Sequence, residues 1–64
     1  MALKIGDRVE YKGKYINRES LQGQIIIVEK NSSDSITSYF VMLDQGLLVQ
    51  FKPNNINWHK LNEQ

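Results

Sequence analysis

The residues best suited to chemistry are basic and aromatic side chains that lie between positions 12 and 18. Lys12, Lys14 and Arg18 could bind phosphate, and Tyr15 among them could stack on a base. A second group near the end of the chain could extend the same surface: Lys52, Trp58, His59 and Lys60. This pattern favours binding of RNA or single-stranded nucleic acid. The alternative is that the aromatic rings pack on the core while the lysines keep the domain soluble.

The charge balance limits the strength of such binding. The 64 residues carry a net charge of +1. Residues 1–18 hold five basic and two acidic side chains, whereas residues 19–50 hold one basic and four acidic side chains. One end of the chain is therefore basic and the middle is acidic. A net charge this small predicts a weak, strongly salt-dependent affinity for nucleic acid.

Few side chains are suited to catalysis or metal binding. The chain has no cysteine, which excludes disulfides and thiolate metal sites, and its one histidine, His59, forms no common zinc pattern with carboxylates alone. Asp7 and Asp44 each lie near a glycine, where a turn explains them better than acid–base catalysis. Gly13 and Gly23 are isolated and form no phosphate-binding loop. We expect a protein that is not an enzyme and that uses no cofactor and no metal.

These side chains must be positioned by short strands, the first two of which precede residue 31. A turn at Gly6 leads into a first strand in which alternation points Val9 and Tyr11 inward. Residues 12–22 lack any period and predict a long loop, a common place for function. Residues 23–30 predict a second strand, because consecutive β-branched side chains favour extended backbone.

The second strand is apolar on both faces. Strict alternation would place Ile25 and Ile27 on one face, and Ile26 and Val28 on the other. Only one of these faces can line the core of so small a domain. The second face therefore predicts an additional partner.

The centre of the chain predicts a β-hairpin over residues 39–51, hinged at Asp44-Gln45-Gly46. Alternation points Val41, Leu43 and Val49 toward the core. The same alternation leaves four apolar side chains on the outside, namely Phe40, Met42 and Leu48, with Ile26 nearby. An exposed patch of this kind marks a protein partner or a homodimer. The alternative is that sheet curvature, the long loop or the terminal segment covers the patch.

The remaining segments complete an all-β domain. Residues 31–35 predict a turn, and residues 57–61 predict a short final strand. Between them Pro53 interrupts the fourth strand, where a single 3-10 turn would fit. Five short strands indicate one domain over residues 1–64. With no signal peptide and no apolar run near 18 residues, we expect a cytoplasmic protein that does not insert into membranes.

Three segments resemble small bacterial SH3-like and KOW-type domains. Gly6-Asp-Arg-Val9 resembles their entry, and Leu21-Gln-Gly-Gln-Ile25 resembles the KOW glycine and the apolar residues after it, with Gly23 in the glycine's place. Residues 39–51 resemble their hairpin, and Ile56 lies where an apolar residue follows the turn. The layout is also similar to that of photosystem I subunit IV. The resemblance implies a small five-stranded SH3-like barrel with a 3-10 turn before the last strand.

A weaker resemblance would make the chain an enzyme. The type II dihydrofolate reductases begin with a similar Gly-Asp-Arg-Val and Gly-Gln-Ile and carry Val-Gln-Ile-Tyr in a tetramer pore. Here the matching stretch is Val49-Gln50-Phe51-Lys52, in which Gln50 matches and Lys52 replaces the tyrosine. Tyr11 lies where that family has a pore lysine, with Lys12 next to it. This resemblance implies reduction of dihydrofolate by a tetramer.

Taken together, the patterns favour a non-catalytic binding module. The four outward apolar side chains are a sharper feature than a charge excess of one. We therefore expect association with a protein or with a second copy through Phe40, Met42, Leu48 and Ile26. Nucleic-acid binding through residues 12–18, with Lys52, Trp58 and Lys60, is the alternative.

Overall fold

The computed structural model describes residues 3–12 and 21–61, and these form five antiparallel strands. The strands are β1 (Arg8–Tyr11), β2 (Leu21–Lys30), β3 (Ile36–Leu43), β4 (Leu48–Phe51) and β5 (Trp58–Lys60). They form one sheet in the order β4-β3-β2-β1-β5. The predicted all-β class with five strands is confirmed for this part of the chain. No helix of the described residues is long and apolar enough to cross a membrane.

The hydrogen-bonded sheet is not closed, so a complete barrel is not confirmed. Strands β4 and β5 are its two edges. In a flat sheet they would lie about 19 Å apart, given about 4.8 Å between neighbouring strands. Yet the ring centroids of Phe51 on β4 and Trp58 on β5 are 4.8 Å apart, and the rings are nearly parallel. The sheet therefore curls strongly, and one aromatic side chain from each edge strand packs against the other.

The connection from β4 to β5 consists of turns, and the predicted 3-10 turn is not confirmed. Residues 53–54 and 56–57 form two turns in succession. The backbone N–H of Asn55 donates to the carbonyl of Lys52, and the Asn55 side chain accepts from the N–H of Asn57. Pro53 ends the ladder as expected, because it has no N–H to donate.

The predicted hinge of the hairpin joins β3 to β4. Gly46 has a φ of +99°, a conformation that glycine adopts without steric cost. Its N–H donates to the carbonyl of Leu43, and the N–H of Leu43 donates to the carbonyl of Leu47. Arg8 on β1 donates two hydrogen bonds to the Asp44 carboxylate, at 2.9 and 2.7 Å. This bidentate pair connects the turn between β3 and β4 to strand β1.

A small core lies inside the curled sheet. Its buried apolar side chains are Val9, Ile25, Tyr39, Val41, Leu43 and Phe51. The inward positions predicted for Val9, Val41 and Leu43 are confirmed. The predicted inward residues Tyr11 and Val49 are half-buried.

Gly23 permits the closest approach of two strands. It lies opposite Leu43 in the pairing of β2 with β3. A Cβ atom at position 23 would lie 2.5 Å from the carbonyl oxygen of Met42 and 2.8 Å from the Cα of Leu43. Real Cβ contacts essentially never fall below 3.0 Å. Glycine is therefore required here by the neighbouring backbone.

Strand β2 differs from its prediction in two respects. It begins at Leu21, inside the stretch expected to be a loop. It also contains a bulge, because Ile25 pairs with Val41 and Ile27 pairs with Phe40, which leaves Ile26 as the extra residue. The prediction that Ile25 and Ile27 share one face is therefore wrong. Ile25 is fully buried, whereas Ile27 is 43% exposed.

Candidate protein-association surface

The outer apolar face consists of side chains from three neighbouring strands, namely Ile26, Ile27, Phe40, Met42 and Leu48. The pairing places Ile27 beside Phe40 and Met42 beside Leu48. Directly opposed residues project from the same side of a sheet, so these pairs form one continuous patch. Leu48 is 53%, Met42 39% and Ile26 37% exposed, and Phe40 is half-buried.

The local sequence of β3 builds this face by alternation. Tyr39, Val41 and Leu43 are buried in the core, so Phe40 and Met42 between them project outward. Three of the residues that the sequence predicted for a protein-binding patch are thus adjacent, and Ile26 lies at the bulge beside them. The prediction missed Ile27, which the bulge turns outward to meet Phe40.

Neutral polar side chains flank the outer apolar face. Gln24 lies opposite Met42, and Gln50 lies opposite Phe40. The Gln50 amide donates to the hydroxyl of Ser38 at 2.9 Å, and Ser38 is only 3% exposed. The Arg8 and Asp44 pair lies beyond Gln24, since Arg8 is the residue opposite Gln24 on β1. An apolar centre with a polar rim is the composition of a protein–protein interface.

Much of the apolar side-chain surface of the described residues faces solvent. In residues 3–12 and 21–61, six apolar side chains are buried and seven large ones are exposed, namely Ile5, Ile26, Ile27, Met42, Leu47, Leu48 and Ile56. A chain of 64 residues can bury only a small hydrophobic core. Covering part of this surface with a partner would add to the small number of buried contacts.

The predicted nucleic-acid site is only partly within the described residues. Lys14, Tyr15 and Arg18 lie outside them. The ammonium group of Lys12 is 3.8 Å from the Glu10 carboxylate. Basic charge near Lys12 is thereby partly balanced within the protein.

Trp58 packs within an aromatic cluster. Its ring stacks on Phe51 and is 5.2 Å from the ring of Tyr11, while Phe51 also contacts Tyr39 at 5.1 Å. This placement favours the packing role that was the alternative for Trp58. Lys52 and His59 are exposed. Nucleic-acid binding stays a prediction.

Asp7 organises a turn at the start of β1. Its carboxylate accepts the backbone N–H of Lys4 at 3.0 Å, and this bond lowers the pKa of Asp7. The charges of Lys4 and Lys60 lower the pKa of Asp7 further, with their ammonium groups 3.7 Å from the carboxylate oxygens. A carboxylate held in its ionised form by such contacts is suited to a structural role rather than to general acid catalysis.

Two open grooves flank the curled sheet. One, of about 380 Å³, is lined by Leu3, Tyr39, Pro53, Trp58, His59 and Lys60. The other, of about 750 Å³, is lined by Leu3, Lys4, Ile5, Val28, Lys30 and Ile36. Neither lining contains a nucleophile paired with a base. Among the described residues no three histidine, aspartate or glutamate side chains are grouped to hold a metal ion.

Comparisons with known protein families, curated proteins and solved structures gave no match for this chain.

Proposed function

We propose that this chain is a non-catalytic binding module that associates with a protein, a second copy of itself included, through the outer apolar face. The observation that carries the proposal is the contiguous patch formed by Ile27, Phe40, Met42 and Leu48 across three strands. Isolated exposed apolar residues need no partner, but a contiguous patch with a polar rim is typical of an interaction site.

The energy available from this face fits weak association. Full burial of a Leu, Ile or Met side chain contributes about 1.5–3 kcal/mol. The exposed fractions are 43% for Ile27, 39% for Met42 and 53% for Leu48. Covering what remains of these three would contribute about 2–4 kcal/mol per copy. Association costs about 4–15 kcal/mol in lost freedom, so further contacts must add to apolar burial.

We further propose that the fold is an SH3-like barrel of the KOW type. Support comes from the strand order β4-β3-β2-β1-β5, from the crowded glycine at position 23, and from the stacking of Phe51 on Trp58 between the two edges. In this proposal Gln50 serves the interface rather than a dihydrofolate-binding pore.

Sedimentation velocity of the wild type and of two face variants tests the association. Met42→Ser and Leu48→Ser each remove an exposed apolar side chain from the face, and we expect each to raise a dimer dissociation constant by about tenfold. Ile56→Ser is the matched control, because Ile56 is 83% exposed in the connection from β4 to β5. The control should sediment as the wild type does.

Two results would count against the proposal. Equal sedimentation of the face variants and the control would show that the face does not drive association. Addition of a single-stranded oligonucleotide at about 50 mM salt, where phosphate contacts are strong, tests the alternative. Amide shifts in residues 12–18 with none on the outer apolar face would favour nucleic-acid binding instead.

A further inference from the structure

We propose that two copies of the chain join through the free edge of β4, which pairs antiparallel with β4 of the second copy and makes one continuous sheet. This inference rests on the proposed function and names its partner and geometry. The starting observation is that β4 is bonded to β3 on one side and is an edge on the other.

The hydrogen-bond pattern of the hairpin shows which backbone groups face the free edge. The N–H of Leu43 donates to the carbonyl of Leu47, so these two residues form a hydrogen-bonded pair. Such pairs alternate along an antiparallel ladder, which makes the opposed Met42 and Leu48 a non-hydrogen-bonded pair. By the same rule the backbone groups of Leu48 and Gln50 point away from β3. Within the described turns and loops no backbone hydrogen bond uses them.

The two edges of the sheet differ in their protection against pairing. On β5, Lys60 lies opposite the buried Val9 and projects toward the inner side of the sheet, where its side chain stays 48% exposed and its ammonium group is 3.7 Å from the Asp7 carboxylate. An inward-facing charge on an edge strand blocks edge-to-edge pairing. Strand β4 reads Leu48-Val-Gln-Phe51 and carries no charge. Within residues 3–12 and 21–61, the features that protect β4 are its short length and Pro53 after it, so β4 is the edge that can accept another strand.

The bonding pattern of β4 also fixes the register of a two-fold pair. The backbone N–H and C=O groups that point away from β3 must bond to the same groups of the second copy. Leu48 of one copy therefore pairs with Gln50 of the second copy, and Val49 lies on the two-fold axis. This arrangement forms about four backbone hydrogen bonds between the copies. It also brings the Leu48 side chains of both copies to the same outer side as diagonal neighbours. The two outer apolar faces then become one.

The separation of the two Lys52 side chains favours the antiparallel arrangement. Asp44 lies before the strand and Lys52 follows it. In the proposed register Lys52 lies opposite Gly46 of the second copy, and that copy's Asp44 carboxylate is directed toward Arg8 on β1, away from the shared edge. The two lysines lie about 20 Å apart along the strands. A parallel pair would place like charges side by side.

The partner is therefore a second copy, and the test uses the full chain. Gln50→Pro removes the edge-facing N–H without breaking the β3 ladder, because that N–H points away from β3. Gln50→Ala is the matched control, since both variants lose the side-chain bond to Ser38. We expect the dimer dissociation constant to rise at least about tenfold for Gln50→Pro relative to Gln50→Ala. A chemically synthesised chain with N-methyl glutamine at position 50 repeats the test if the proline variant does not fold.

Amide hydrogen exchange gives a second, variant-free measurement. In the wild type we expect the amides of Leu48 and Gln50 to exchange more slowly as protein concentration rises, while those of Trp58 and Lys60 on the other edge do not change. A chain that stays monomeric at about 1 mM overturns the inference. So does a dimer in which these two amides stay unprotected.

The outcomes separate this inference from the proposed function. In one outcome Leu48→Ser and Met42→Ser abolish the dimer, while Gln50→Pro and Gln50→Ala have the same dimer dissociation constant. The apolar face is then the contact, and edge pairing is refuted. In the other outcome Gln50→Pro abolishes the dimer, while Leu48→Ser and Met42→Ser dimerise as the wild type does. Edge pairing is then supported, and the apolar face is refuted as the contact that drives it.

Discussion

Replacement of Gly23 by alanine is the most direct test of how β2 packs against β3. The added methyl group would meet the carbonyl oxygen of Met42 at 2.5 Å, Val41 Cγ1 at 2.7 Å and the Cα of Leu43 at 2.8 Å. Two of these three atoms are backbone, so rotation of a side chain cannot relieve the contact. The strands must separate, and the core side chains Val41 and Leu43 must move with them.

The expected loss of stability follows from these distances. Overpacking of this kind costs about 1–3 kcal/mol, and two backbone contacts place Gly23→Ala toward the upper part of that range. A chain of 64 residues has about 3–10 kcal/mol of stability in total. A loss of about 2 kcal/mol should lower the Tm by about 8–16 °C in a domain of this size.

Thermal unfolding followed by Trp58 fluorescence measures this loss. Gln22→Ala is the matched control, because Gln22 is the neighbouring residue on the same strand and its side chain is exposed. We expect the control to change stability by no more than about 0.5 kcal/mol. A Gly23→Ala variant as stable as the control would refute the close approach of β2 and β3, and with it the register that places Met42 on the outer apolar face.

Two further predictions concern the bulge and the hairpin tie. Ile25→Ala should cost about 2–5 kcal/mol in chemical denaturation, as a buried side chain does, whereas Ile27→Ala should cost less than about 1 kcal/mol; equal losses would contradict the bulge. Arg8 lowers the pKa of Asp44 below its ordinary value of 3.8, chiefly through their hydrogen bonds. The stability from this pair is therefore present above pH 3.8 and is lost as the pH falls through the lower pKa of the folded state. Arg8→Gln should flatten this dependence of the unfolding free energy on pH, measured by urea unfolding between pH 7 and pH 2. An unchanged dependence would show that Arg8 does not lower the pKa of Asp44.

The hairpin could be predicted from the sequence because its signals are local. Gly46 supplies a positive φ at the hinge, and strict alternation from Tyr39 to Leu43 separates core from surface. The same alternation identified Phe40 and Met42 as outward residues. These features depend on neighbouring positions alone, so a sequence carries them directly.

The second strand could not be predicted in full because its residues do not alternate. Ile25, Ile26 and Ile27 are identical, so no pattern of polarity shows which one is the extra residue of a bulge. The bulge is fixed only by pairing with β3. The contact of Phe51 with Trp58 across the two sheet edges was equally hidden, because it depends on curvature of the whole sheet. The bulge and the contact between the sheet edges both depend on residues far apart in the sequence, so the local pattern of side chains did not predict them.

The bulge at Ile26 also has a consequence at the level of the gene. Because three isoleucines stand in a row, in-frame loss of any one of their codons yields the same shorter protein. That protein could keep Ile25 opposite Val41 and could place the next isoleucine opposite Phe40 in a regular ladder, with Val28 still opposite Tyr39. A change of length in the middle of a strand would then leave every other strand pair in place. At this position the domain can lose one residue without changing which side chains face the core.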